Sequence, residues 1–209
     1  MPQPLDDDSL IAAAANGDER AFQRLMEHYQ DYVYGLCYRV CSNRADAQEA
    51  AQECFLSFYQ NLSRYRYGGK LSNWLYTIAL NKCRQLLRRR KLRRMLSLDF
   101  SPPSGASGQA LFEPRDHSAG PADKAEQAQL RERLALAAAG LPEAQRELFV
   151  LRYDLDLEIE EIMAITGKRS EAVRVGLHRA RGLLKIALKA QGLDVTAWGL
   201  EDREGQESP

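Results

Sequence analysis

Apolar residues recur at three- and four-residue steps over most of this chain, and one interruption breaks the rhythm. From Ser101 to Ala122 the sequence reads SPPSGASGQALFEPRDHSAGPA, rich in Ser, Pro, Gly and Ala and without a periodic apolar face. Such a stretch has nothing to bury and reads as a flexible linker. Helical periodicity lies on both sides of it, and alternation of period two is sustained nowhere. The chain is therefore expected to be all-α, with two small helical domains joined by a tether. A length of 209 residues accommodates two such units.

Before the break, Asp18 is placed to cap a helix through Phe22, Leu25, Met26 and Tyr29, and the pattern resumes at Tyr32, Val33, Leu36, Cys37 and Val40. Asn43 to Leu62 reads as a further helix. Its stripe is Ala47, Ala50, Ala51, Cys54, Phe58 and Leu62, with Gln48, Glu49, Gln52 and Glu53 largely off it. A Gly68-Gly69 loop precedes a helix from Leu71 to about Leu92. On that helix Trp74, Leu75, Ile78, Ala79, Lys82, Leu86 and Leu87 are expected along the core side.

The formal net charge is zero, with 29 basic and 29 acidic residues, but the charge is segregated. Both ends are acidic. From Arg64 to Ser97 there is no Asp or Glu at all, and a second basic concentration runs from Lys168 to Lys189. Local basic patches of this kind suit a polyanionic partner. No apolar run approaches the roughly 18 residues of a membrane span, and MPQPLDDDSL lacks the order of a signal peptide. Membrane insertion is not expected, and the cytoplasm is. The four cysteines, Cys37, Cys41, Cys54 and Cys83, form no zinc frame and read as reduced core thiols. No metal site, cofactor motif or catalytic constellation emerges. His28, His117 and His178 are scattered.

After the break, helical pattern returns from Asp123 and leads into LPEAQRELFVLRY. Ile159 to Ile165 is a short helix closed by Thr166-Gly167, and Ser170 is placed to cap a second one running to about Leu188. Val173, Leu177, Ala180, Leu184 and Ala187 face one way. Arg174, His178, Arg181 and Lys185 face the other. A short helix, a glycine turn and a helix with apolar back and cationic front make a helix-turn-helix. In the acid-free stretch, Tyr65, Tyr67, Trp74 and Tyr76 interleave with cations and with Asn81. Rings that stack bases beside cations that hold phosphates suit single-stranded nucleic acid. Arg84 and Arg88 to Arg94 suit a duplex backbone.

Three motifs carry a resemblance over about Ser9 to Ala190. They are QECF within DAQEAAQECF, WLY.IA.N within YRYGGKLSNWLYTIALN, and LHRAR in the last helix. In that order and at those spacings the chain resembles the extracytoplasmic-function (ECF) sigma factors of bacterial RNA polymerase. The resemblance implies a core-polymerase-binding and −10-melting domain over 9–97, a linker over 98–123, a −35-reading helix-turn-helix domain over 124–190 and an acidic tail over 191–209. It implies that Asp46, Glu49, Gln52 and Glu53 meet core polymerase. It gives opened −10 DNA to Tyr65, Arg66, Tyr67, Lys70, Trp74, Asn81, Lys82, Arg84, Arg88 and Arg89. It gives −35 duplex to Arg169, Ser170, Arg174, His178, Arg179 and Arg181. The implied partners are core RNA polymerase, promoter DNA and, for members held in check, an anti-sigma factor. An alternative reading is a stand-alone helix-turn-helix regulator with an N-terminal sensor or dimer domain.

The chain departs from the family pattern at several points. Met163 stands where a small residue is usual, Glu171-Ala172 where Gly-Thr is usual, Val175-Gly176 where Ser-Arg is common, and Gln85 where an acid is common. Glu171 brings negative charge toward DNA, and Gly176 costs its helix up to about 1 kcal/mol relative to Ala.

Overall fold

The computed structural model describes residues 6–65, 69–96 and 133–192. The linker, Arg66, Tyr67 and the tail from residue 193 lie outside them, and so do the expectations placed there. The described residues are helical, with no strand among them.

Helix α1 (Asp7–Ala15) opens under Asp6, whose carboxylate accepts from the Ser9 amide at 3.4 Å. Gly17, at φ 93°, turns the chain into α2 (Glu19–Cys41). Asp18 caps α2 by accepting from the Arg20 and Ala21 amides at 2.9 and 3.2 Å, which satisfies amides that have no partner within the helix. The expected pause between Tyr29 and Tyr32 does not occur. Leu25, Tyr29, Val33, Leu36 and Val40 keep helical phase straight across it, and all are buried in one continuous helix. Ser42, in the left-handed region at φ 51°, ends α2, and Asn43 caps α3 (Arg44–Gln60). A 3-10 turn (Leu62–Arg64) and the loop lead to α4 (Leu71–Leu96).

The core side of α4 differs from the expected one. Ser72, Leu75, Tyr76, Ala79, Leu80, Cys83, Leu86 and Leu87 are buried, whereas Trp74 and Ile78 are half-buried and Lys82 turns to Glu53. The stripe is rotated because α4 packs on α2 and α3 along one flank and on the second domain along the other. All four cysteines are free thiols in this core. Burial pushes the Cys54 thiol up to about 12. Cys41 is raised by its hydrogen bond with Cys83 and by burial, so the Cys54 and Cys41 thiols stay protonated.

In the second domain, α5 (133–139) and α6 (Glu143–Phe149) meet at Gly140-Leu141-Pro142, and α6 runs on into a π-helical turn (Val150–Asp154). Helix α7 (Ile159–Thr166) starts with a reciprocal capping box between Glu158 and Glu161 and stops at Gly167, φ 69°. Helix α8 (Ser170–Ala190) follows. Ser170 is not its cap. The backbone of Arg169 takes that place, and the Ser170 hydroxyl accepts from Arg174 Nε at 3.4 Å inside the first turn.

Gly176 gains a physical reason. A Cβ there would lie 2.3 Å from Leu148 Cδ1, so the glycine lets α6 and α8 approach. Overpacking that contact would cost about 1–3 kcal/mol, more than the helix propensity lost.

Phe149, Ala180, Leu184 and Leu188 form a small core with α5. Leu148, Leu151, Leu157, Ile162, Val173 and Leu177 instead join the apolar cluster of the first domain. Helix α7 lies against α4, and α6 with the π turn lies against α2. The two domains thus share one continuous core in this conformation.

Candidate nucleic-acid interface and partner face

Helix α3 presents an acidic edge. Asp46 Oδ2 meets Arg90 Nη1 at 2.9 Å, Glu49 meets Arg89 at 3.5 Å, and Glu53 meets Lys82 at 3.3 Å. Gln52 is exposed. The first-turn position of Asp46 also suits the amino-terminal dipole of α3. The structure therefore brings three of the expected polymerase-contacting residues against three cations of α4, Lys82, Arg89 and Arg90, all of which were expected on DNA. Leu56 and Tyr59 continue this edge one and two turns on, each 51% exposed. Tyr59 leans edge-on against Phe22 at 4.9 Å. Sequence reasoning missed both. Their signal was available: two large apolar residues off the apolar stripe of an otherwise amphipathic helix. A strip that alternates carboxylate, amide and exposed apolar surface suits a protein partner better than a phosphate backbone.

The −10 candidates divide three ways. Tyr65 is buried, donates its hydroxyl to the Gly69 carbonyl at 2.8 Å, and sets its ring 5.3 Å from Trp74. Trp74 in turn stands edge-on to Phe58 at 5.4 Å. Tyr76 is buried as well, and burial pushes its hydroxyl up to about 12. These rings support the loop here. Lys82 and Arg89 face α3, as above. Lys70 and Arg84 face the second domain. Lys70 Nζ reaches Glu161 Oε1 at 2.6 Å, and Arg84 Nε reaches Glu147 Oε2 at 2.9 Å. Asn81 is exposed and accepts from Arg84 Nη1 at 3.1 Å, while Arg88 is exposed. The cations of α4 circle the helix rather than forming one row.

Helix α8 does present a row. Val173, Leu177, Ala180 and Leu184 are buried behind it. Arg169, Arg174, His178 and Arg179 are exposed, and Ser170 and Arg181 are half-buried at its edge. Val175, Leu183 and Ile186 are exposed beside these cations, an apolar margin that the sequence reading did not anticipate. A helix with this front fits a major groove, where arginine pairs bidentately with guanine and a methyl-bearing side chain touches thymine.

Comparison with known proteins decides the family. The Sigma-70 region 2 family matches residues 25–93, and the Sigma-70 region 4 family matches residues 131–184. The ECF RNA polymerase sigma factor SigD of Mycobacterium tuberculosis is 31% identical over 88% of this chain and 85% of its own length. This chain belongs to the ECF sigma factors of RNA polymerase. The sigma factor SigW of Bacillus subtilis is 29% identical over 86% of this chain and 95% of its own. The fold is shared with the sigma factor RpoE of Bartonella quintana, solved in complex with the anti-sigma factor NepR. That match has TM-score 0.64 and 20% identity, and covers 80% of this chain and 96% of that one.

This sigma factor is an alternative specificity subunit. It works with core RNA polymerase on promoter DNA and directs promoter-specific transcription, and its family comprises initiation factors rather than catalysts. The stand-alone regulator reading falls, because region 2 accounts for the first domain. Among the described residues no helix is long and apolar enough to cross a membrane.

Proposed function

We propose that this sigma factor divides promoter recognition between its two ends. Residues 9–97 bind core polymerase and open the −10 element, 124–190 read the −35 element, 98–123 connect them, and 191–209 form an acidic tail. Polymerase is met by Asp46, Glu49, Gln52 and Glu53, with Leu56 and Tyr59 extending the contact. The −35 duplex is met by the α8 front, with Arg174 and His178 nearest base edges and Arg179 and Arg181 nearer phosphates. Lys70, Asn81, Arg84 and Arg88 hold −10 DNA, together with Arg66 and Tyr67, while Tyr65 and Trp74 shape the loop that accepts an extruded base. The work is done in the cytoplasm, no catalytic step is assigned to the chain, and an inhibitory anti-sigma factor fits as a further partner.

One observation supports this reading above the others: the exposed cationic front of α8 set on a buried apolar back. The experiment pairs footprinting of −35 duplex with permanganate reactivity of −10 thymines, using core polymerase and a cognate promoter. Arg174→Ala should weaken the −35 footprint. Asn81→Ala should spare it and reduce melting, because unpaired bases exist only after opening. Glu49→Arg with Glu53→Arg should abolish co-purification with core enzyme at unchanged helical circular dichroism. An Asn81→Ala variant that loses the −35 footprint yet melts normally would reverse the assigned roles.

A further inference from the structure

Three carboxylates of the second domain rest on three cations of the first. Glu147 clasps Arg84 with both oxygens, Nε to Oε2 at 2.9 Å and Nη2 to Oε1 at 2.5 Å. Glu161 takes Lys70 at 2.6 Å, and Asn73 Nδ2 reaches the same oxygen at 3.5 Å. Asp154 takes Arg39 Nε at 3.0 Å. Glu147 is only 5% exposed, so its charge is committed to Arg84. The hydrogen bond from Arg84 to Glu147 raises the guanidinium pKa further. Burial alone would raise Glu161. The bonds from Lys70, the Glu158 amide and Asn73 outweigh it and hold the carboxyl below its usual range.

A carboxylate that offers two oxygens to a guanidinium reproduces the acceptor geometry of a phosphate. Arg84 and Lys70 are the cations assigned to −10 phosphates above. The donor atoms that hold Glu147 and Glu161 cannot hold a nucleic-acid strand at the same time. The apolar seam carries the rest of the closure, since α7, the first helix of the helix-turn-helix, lies against α4.

We propose that Glu147 and Glu161 act as internal phosphate mimics, so that the conformation seen here is a self-masked state whose −10 surface becomes available only when the second domain leaves α4. This rests on the −10 assignment made under Proposed function. The device is a switch rather than a lock. A desolvated ion pair contributes little net stability over well-packed alternatives, yet leaving one partner unpaired is costly. A competitor that supplies its own phosphates, or a polymerase surface that draws the domains apart, can therefore exchange places with the two glutamates. If the competent state is a minor fraction of the free chain, apparent affinity falls by that fraction, and removing the mask restores it.

The test uses the full chain and a fluorescein-labelled single-stranded oligonucleotide of mixed sequence, read by anisotropy. Glu147→Gln with Glu161→Gln should tighten binding by about tenfold or more. Glu19→Gln with Glu27→Gln, which removes the same charge from exposed positions on α2, should change it far less. A disulfide engineered between Asn73→Cys and Glu161→Cys should weaken binding when oxidised and release it on reduction. It also keeps the test decisive should the double glutamine variant fold poorly. Equal tightening by the α2 control, or a crosslinked chain that binds as well as the reduced one, would overturn the mask. If the mask fails while Lys70→Ala and Arg84→Ala still weaken binding, the −10 assignment stands alone. If those two changes are silent in the double glutamine background, the −10 assignment fails and the mask with it.

Discussion

Helices α4 and α8 are both strongly basic, yet the fold treats their cations in opposite ways. On α4, Lys82, Arg84, Arg89 and Arg90 each lie against a carboxylate of another helix. On α8, Arg174, His178 and Arg179 stand exposed along one front. The contrast follows from surroundings. Helix α4 is central, with α2 and α3 on one flank and the second domain on the other, so its cations meet acids of α3 and, through Glu147, of α6. Helix α8 is peripheral and buries only its back, against α6 and α7. Counting charge along the sequence makes the two helices look alike. Their neighbours set four cations of α4 against carboxylates of other helices, while α8 keeps its basic front on the surface.

The largest way to break this contrast is at Gly176. Gly176→Ala drives a Cβ into Leu148 and should destabilise the second domain by about 1–3 kcal/mol, less the fraction of a kcal/mol that alanine returns in helix propensity. Denaturant unfolding of the full chain measures it. The −35 footprint should weaken in parallel because the front of α8 is positioned through that contact. An unchanged midpoint would show that Leu148 moves aside and that the close approach is not needed.

A change on each helix sharpens the contrast. Arg174→Ala should cost roughly 1–3 kcal/mol of discrimination at one base pair of the −35 element. Arg179→Ala should weaken binding across sequences and shallow the salt dependence by about one unit. Arg84→Ala should leave −35 binding by the isolated sigma factor unchanged, since its guanidinium is held by Glu147. Competition binding to duplex at several salt concentrations separates these outcomes, and loss of −35 affinity in Arg84→Ala would erase the distinction between the helices.

The smallest expected effect is on pH. Glu161 titrates below its ordinary value of 4.5 in this conformation. The folded, closed state therefore binds fewer protons than the open one. Its contribution to closure is present above that ordinary value and is lost as pH falls through the lowered one. Asp154, which burial raises across the same seam, acts in the opposite sense and favours closure as pH falls. Energy transfer between labels on exposed Gln60 and Lys189 should therefore not fall between neutral pH and about pH 5 and should drop only in stronger acid. A fall that begins near neutrality would point to another group.

Much of the fold was legible beforehand because its signals are local. Asp18 as a cap, Gly167 as a stop and the buried stripe of α3 all depend on neighbours within one or two helical turns. So does the apolar back of α8. The same local grammar supports the role proposed for α8, since a surface helix shows its exposed face directly in its period. It failed where contacts are long-range. The rotated core side of α4 reflects a second domain that periodicity cannot place. The outward position of Leu56 and Tyr59 depends on which flanks of α3 are covered.

The sequence by itself determined that this chain is all-helical, that it is built in two parts, and that it carries the motifs of an ECF sigma factor in the family's order. Helix caps, apolar period and motif spacing are properties of residues a few positions apart, and they survive any arrangement of the domains. Only the tertiary structure decided which cations are available. Whether Arg84 faces water or Glu147, 63 positions away, depends on how one core closes over α2, α4, α6 and α7. That closure is set by packing among residues that no sequence window contains.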